Sequence, residues 1–364
     1  RGGSSLQEGL TNGAGRVLGG DFVDFWAGAR FAFTGDAATV YDLDAFRAAI
    51  RKVAGAAIEP YLYSYPPSLM LLTLPLALLP FLAAFAVWTI GGGAVLFALL
   101  RPVLSKRNSF YALLAAPATF VNALFGQTGA LSALFLGGGL LLLRSHPVMA
   151  GVMLGLLSYK PQLGILVPVA LACGGYWRTF FAASASVIAL NAASAGLLGV
   201  DAWLAYPAQM QEMQTVVTLY GQGLWHRIPT TYVSALFLGV SPQVAWFFHV
   251  PVALIALTSV IVVWRRQALP SIKATTLVLA TLLATPYAWD YDLVVLVVLL
   301  AWRFYEGGWR PWEASALTLA VLLPFFLAIF AKGLGIPIGP VVLLFALWAV
   351  VGRDAQRAPP QSER

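Results

Sequence analysis

The sequence predicts an all-α integral membrane protein, a multi-span helical bundle, on three observations. Sixty per cent of its 364 residues are hydrophobic and only 10% are charged, whereas a water-facing surface normally brings the charged share to about a quarter. Apolar runs near twenty residues recur, Phe81 to Leu100 and Val244 to Trp264 among them. A helix rising ~1.5 Å per residue needs roughly 20 residues to cross the ~30 Å hydrocarbon core. The basic residues, finally, gather in short loops between these runs, as they do where charge sets membrane orientation. The alternating ten-residue strands of a membrane β-barrel are not found.

Taken in order, hydropathy places spans near 81–100, 109–123, 127–143, 146–158, 161–174 and 178–199, then near 243–264, 272–286, 292–303, 314–331 and 336–351. Pro66 to Leu79 and Thr230 to Val240 are apolar but too short to cross and read as re-entrant or interfacial pieces. The loops then alternate, and thirteen of the 22 Lys and Arg fall on one side, Arg101, Arg144, Arg265 and Arg303 among them. The positive-inside rule makes that side cytoplasmic. Were the two short pieces full spans, Arg101, Lys106, Arg107, Arg144 and Arg178 would all move outside.

The whole chain, 1–364, reads as one polytopic domain. It has a first outer loop at 19–65, a second long outer loop at 200–229 and a cytoplasmic tail at 352–364. The stretch "RGGSSLQEGLTNGAGRVLGG" is too polar to span, and we expect a first transmembrane helix upstream of it. The formal charge of +7 reflects orienting loops rather than a nucleic-acid surface. The single cysteine, Cys173, sits in an apolar run, which leaves no intrachain disulfide or thiolate metal cluster to build.

Polar features without an orienting role collect on the outer side. In "GGDFVDFWAGARFAF", Asp21 and Asp24 stand three apart, on one helix face beside a stripe of Phe22, Phe25, Trp26, Ala29 and Phe33. This predicts an amphipathic interfacial helix with its acids turned to a cavity, and an aromatic setting raises a carboxylate pKa towards general-base use. The alternative makes Asp21 an N-cap and Asp24 a solvated acid. A second interfacial helix follows, capped by Asp42, with Phe46 and Ile50 on one face and Arg47, Arg51 and Lys52 on the other as lipid-phosphate contacts.

Further along, Tyr61, Tyr63 and Tyr65 precede Pro66-Pro67 at the membrane edge, as anchors or as part of a site. Asn122 and Gln127 flank an outer turn, where their amides bind either sugar hydroxyls or a neighbouring helix. Lys160, in "SYKPQLG", is an ammonium suited to a phosphate at the surface, with snorkelling as the alternative. His226 and Arg227 follow Trp225 in the second long loop and suit a phosphate or a hydroxyl. Asp290 and Asp292, beside Trp289 in "YAWDYDL", stand at the mouth of a span. They either pair with Lys160 or Arg227 or bind a sugar on which Trp289 stacks.

The series "GDFVDFWAGARFAFTGD", "YPPSLMLLTLPLALLP", "FGQTGALSALFL", "SYKPQLG" and "TPYAWDYDL" resembles family 87 of the glycosyltransferases, a bacterial multi-span family of GT-C architecture, from Asp21 to about Leu300. The resemblance implies a polyprenyl-phosphate sugar donor, commonly polyprenyl-phosphomannose. It also implies inverting transfer to a glycolipid or glycan on the periplasmic face of the inner membrane. It makes Asp21 the catalytic aspartate, because Phe22 and Phe25 match the family's setting for it, with Asp24 second. Chemistry then assigns Lys160, Arg227 and His226 to the donor phosphate. Gln127, Asn122, Trp289, Asp290 and Tyr65 go to sugar or acceptor. No Gly-rich nucleotide motif is present, and neither cofactor nor metal is expected. The rivals are a polyprenyl-linked sugar flippase, which would need midplane charges and internal repeats, and a non-catalytic envelope-assembly subunit.

Overall fold

The structure, a computed structural model, describes residues 17–54, 61–220 and 223–352. The upstream helix and, but for Gly352, the 352–364 tail expected from the sequence lie outside the described residues. Prolines set many of the helix starts: Pro67, Pro117, Pro147, Pro161, Pro242, Pro270 and Pro311 each take the first position, where a missing N–H costs nothing and φ is already helical.

The chain opens with α1 (Phe22–Thr34) and α2 (Leu43–Ala54), and α3 (Pro67–Thr73) leads into the long α4 (Phe81–Leu100). Next come α5 (Lys106–Ala115), α6 (Pro117–Leu124), α7 (Gly129–Leu142), α8 (Pro147–Leu156) and α9 (Pro161–Cys173). The second half contains α10 (Trp177–Leu198), α11 (Val200–Tyr220), α12 (Thr231–Phe237) and α13 (Pro242–Arg265), then α14 (Pro270–Ala284), α15 (Val294–Glu306), α16 (Pro311–Ala328) and α17 (Gly339–Val351). No strand occurs among the described residues. Each expected span is thus a helix or a pair of helices.

Among the described residues, four helices are long and apolar enough to cross a membrane: α4, α10, α13 and the run Pro311–Gly333 that starts with α16. Their outer faces are apolar, with Ile90, Ile188 and Phe247 exposed, as suits helices solvated by lipid rather than water. α14 and α15 form the centre and are buried along nearly their whole length. α14 packs on α13, α15 and α17.

Neither short apolar piece is among the helices long and apolar enough to cross. The 66–79 segment starts and ends on α1: Tyr65 sits edge-on to Phe25 at 5.4 Å, and the Leu79 carbonyl accepts the Trp26 indole N–H at 3.0 Å. A segment that leaves from Phe25 and returns to Trp26 has doubled back. α12, with seven residues, spans only ~10 Å, and the Thr230 hydroxyl before it donates to the Pro286 carbonyl at 2.6 Å.

Two features differ from the sequence reading. α1 is more than an interfacial helix, because Phe22–Ala29 are buried and the helix wedges between α3 and α4. α2 keeps the amphipathic form, with Phe46 and Ile50 buried, Arg51 and Lys52 exposed, and the Asp42 carboxylate accepting the Asp44 and Ala45 N–H groups. The second long loop is largely the helix α11, which tolerates Pro207 in its interior.

α8 and α10 pack closely through "GVMLG", a small-xxx-small spacing that lets membrane helices approach. A Cβ on Gly155 would lie 2.5 Å from both the Ala183 carbonyl oxygen and the Ser186 Cβ, whereas a Cβ on Gly196 of α10 meets nothing within 4 Å. Gly155→Ala is therefore expected to lower the thermal unfolding midpoint in detergent, at a cost of about 1–3 kcal/mol. Gly196→Ala is expected to leave it unchanged or raise it slightly.

Candidate active site

The turn between α6 and α7 organises the site. Gly126 takes a positive φ of 56°, and the Gln127 N–H bonds back to the Asn122 carbonyl at 2.9 Å. The Trp88 indole N–H bridges the Gly126 and Gln127 carbonyls at 2.9 and 3.2 Å. A side chain at Gly126 would collide with Phe22 and the Gly19 carbonyl, so α1 sits directly on this turn. Held there, the Gln127 amide donates a hydrogen bond to Asp21 Oδ2. Asp21 occupies the N-cap position of α1, yet its side chain makes no capping bond. It is half-buried, while Asp24, one turn on, is buried.

Burial, and then the charge of Asp21, push the Asp24 carboxyl well above the usual carboxylate range. Asp24 Oδ1 has no hydrogen-bond partner among the described residues. The two acids therefore divide, Asp24 favouring the neutral form and Asp21 keeping an amide partner and access to solvent.

Lys160 lies deeper. A short turn at Leu157–Tyr159 and the start of α9 deliver it to the centre, where it is 1% exposed. Its ammonium is 2.5 Å from Asp292 Oδ1 and 3.5 Å from Thr128 Oγ1, with Tyr291 and Tyr65 rings at 4.7 and 5.8 Å. The second Asp292 oxygen accepts the Trp289 N–H at 3.0 Å. Thr128 ties the layer together: its hydroxyl is 3.3 Å from Tyr65 OH, and its carbonyl accepts from Tyr159 OH at 3.3 Å. Burial raises the Tyr65 phenol further above its ordinary value.

Arg227 closes the other side. Its Nε and Nη2 bond to the two Asp290 oxygens at 2.8 and 3.0 Å, a bidentate pair. The guanidinium carbon stands 4.1 Å from the Phe125 ring centroid and 5.9 Å from that of Trp289, which in turn stacks on Tyr291 at 6.1 Å and 6°. Burial raises the Asp290 carboxyl, and Arg227 opposes that shift. At 14% side-chain exposure, Arg227 is the more open of the two paired cations.

The residues singled out from the sequence thus converge. Asp21, Asp24, Gln127 and Asn122 gather at the turn. Tyr65 and Lys160 lie beneath it, and Arg227, Trp289 and Asp290 lie beside it. Both pairings left open in the sequence are made, Lys160 with Asp292 and Arg227 with Asp290. Asn122 Oδ1 and Gln127 Oε1 are buried acceptors with no partner among the described residues. Thr128, Tyr159, Tyr291 and Phe125 were not singled out as site residues, although Thr128 directly follows Gln127 in "GQTGA" and Tyr291 stands between two acids in "WDYD".

His226 sits at the margin, half-buried, near Lys332 as well as Arg227. Burial, then the charge of Lys332, then that of Arg227 lower its pKa from 6.5 to about 4. A lowered histidine pKa means that the unfolded chain takes the proton first, so stability falls as pH drops from 6.5 towards 4. His226→Gln is expected to flatten that part of the midpoint-versus-pH curve, read by thermal unfolding in detergent.

An apolar helical bundle with this polar centre at one end is an integral membrane protein. Within that class, the chain belongs to glycosyltransferase family 87, whose model matches residues 63–286, more than half of its length. The protein is accordingly a membrane glycosyltransferase, with a sugar donor and an acceptor as substrates. The matched residues include Tyr65, Asn122, Gln127, Lys160, His226 and Arg227, while α1 and the Trp289–Asp292 stretch lie outside them. No curated protein and no solved structure matches the chain.

Proposed function

We propose that the protein transfers a sugar, mannose in our reading, from a polyprenyl-phosphate donor to a hydroxyl of a glycolipid or glycan. Transfer occurs with inversion on the periplasmic face of the bacterial inner membrane. The observation that carries this reading is that a half-exposed carboxylate and a partly exposed guanidinium flank one turn. Asp21 is held by Gln127, and Arg227 lies over Phe125 two residues earlier.

In this mechanism the acceptor oxygen attacks the anomeric carbon and Asp21 takes its proton. The anomeric C–O bond to phosphate breaks on the opposite face, and its electron pair leaves with the polyprenyl phosphate. Arg227 meets the growing phosphate charge directly. Lys160, closed off behind Tyr65 and Tyr291, acts through the position and field it gives Asp292 and Thr128. His226 borders the phosphate as a neutral imidazole. Gln127 Oε1 and Asn122 Oδ1 accept from sugar hydroxyls, and Trp289, Asp290 and Tyr65 line the sugar's side. Asp24, favouring its neutral form, leaves the negative charge to Asp21.

The test is to incubate the purified full chain with a panel of short-chain polyprenyl-phosphate sugars and a glycolipid acceptor, and to follow free polyprenyl phosphate. Release from one of them, mannose by expectation, supports the reading. Turnover of a nucleotide sugar, with every polyprenyl donor left intact, sinks it.

A further inference from the structure

A second polar feature lies at the opposite end of the bundle. α7 begins at Gly129, against the active-site turn, and its residues to Leu142 carry the chain ~20 Å away. α14 and α15 likewise run away from the 285–292 stretch, α14 backwards from Ala284 to Pro270 and α15 forwards to Glu306. Where these distal ends meet the end of α13 and the start of α10, they enclose a cavity of about 80 Å³.

Its lining has two parts. Leu143, Trp264 and Trp302 belong to an apolar wall, while Tyr176 and the cations Arg144 and Lys273 supply the polar groups. The charged side chains of the lining are thus both positive. The neighbouring carboxylates are committed elsewhere: Glu306 accepts the Ser271 N–H and hydroxyl at 3.2 and 2.5 Å, and Glu313 pairs with Arg303 at 2.7 Å. Lys273 Nζ donates to the Trp264 carbonyl at 3.1 Å, which anchors the ammonium and leaves donors over. Arg144 is exposed. Trp177, exposed next to Tyr176, marks the level where aromatic side chains meet lipid headgroups.

From this geometry we infer a binding site for an anionic phospholipid on the face opposite the active site. The phosphodiester sits between Arg144 and Lys273, and the glycerol and upper acyl carbons lie against the Trp264–Trp302 wall. A basic pocket between transmembrane helices is the arrangement that holds such headgroups. The apolar wall selects a lipid over a free phosphate, because a hydrated inorganic anion gains nothing from it.

The experiment uses the full chain in detergent, with native mass spectrometry counting bound dioleoyl-phosphatidylglycerol and dioleoyl-phosphatidylcholine. Each cation near a membrane surface contributes about a fivefold factor in affinity for anionic lipid. Arg144→Gln is therefore expected to weaken phosphatidylglycerol binding about fivefold, and Arg144→Gln with Lys273→Met about twenty-five-fold, with a smaller loss for phosphatidylcholine, whose phosphodiester charge is offset by its own choline cation. Arg107→Gln, an exposed cation outside the cavity, should change neither. Arg144→Gln alters an exposed side chain, so it keeps the test open if the double variant does not fold. Equal phosphatidylglycerol binding by wild type and Arg144→Gln overturns the site, and so does an equal loss in Arg107→Gln. Displacement of the lipid by millimolar inorganic phosphate or glycerol phosphate overturns the lipid as its occupant.

Discussion

Asp21→Asn is expected to lower the rate of sugar transfer about a thousandfold, the middle of the range for removing a positioned general base, with little change in thermal stability. Asn preserves the shape and an oxygen for the Gln127 amide, but it has no lone pair basic enough to take the acceptor's proton. Asp24 supplies the control, since it favours the neutral acid by burial beside Asp21. Asp24→Asn removes a carboxyl that burial already pushes towards the neutral form and should cost less than about tenfold. Rates for the donor identified above, read together with unfolding midpoints for both variants, check the pair. Near-wild-type turnover by Asp21→Asn removes Asp21 as the base, and a thousandfold loss confined to Asp24→Asn moves that role one helical turn.

The bundle was legible because lipid imposes a simple demand: a chain that must satisfy every backbone group internally announces its spans as apolar runs, and proline marks where many of the helices start. α11 escaped this reading because "VDAWLAYPAQMQEMQTVVTLY" mixes acids, amides and a proline with its apolar residues and offers neither a span nor a clean amphipathic stripe. The depth of α1 escaped for a different reason. Its aromatic stripe fits a lipid surface and a protein interior equally well, and it is the return of 66–79 onto Phe25 and Trp26, with Phe81, Phe85 and Trp88 of α4 on the other side, that encloses it.

In the site, the residue types were legible and the partnerships were not. An ammonium, a guanidinium and four acids between apolar runs stand out against an oily background. Yet Asp21 meets Gln127 across 106 positions and Lys160 meets Asp292 across 132, and no local spacing encodes such contacts. Thr128 is the extreme case. A buried hydroxyl has no signature in sequence, and its importance comes from standing where Tyr65, Tyr159 and Lys160 converge.

Lys160→Met is expected to destabilise the protein by about 3–5 kcal/mol, the usual cost of leaving one partner of a buried ion pair uncompensated. Asp292 would stay fully buried beside Tyr291, its carboxylate bonded to the Trp289 N–H but stripped of its counter-ion. The double variant Lys160→Met, Asp292→Leu removes both charges and should recover most of that stability, because well-packed apolar residues commonly replace a buried pair at little cost. Transfer activity should not recover with it, since the proposed role of the pair is to position Thr128 and the 289–292 turn under the sugar. Unfolding midpoints and transfer rates for wild type, both single variants and the double variant form the measurement. Full recovery of both quantities would make the pair a packing element with no part in positioning Thr128 or the 289–292 turn for transfer.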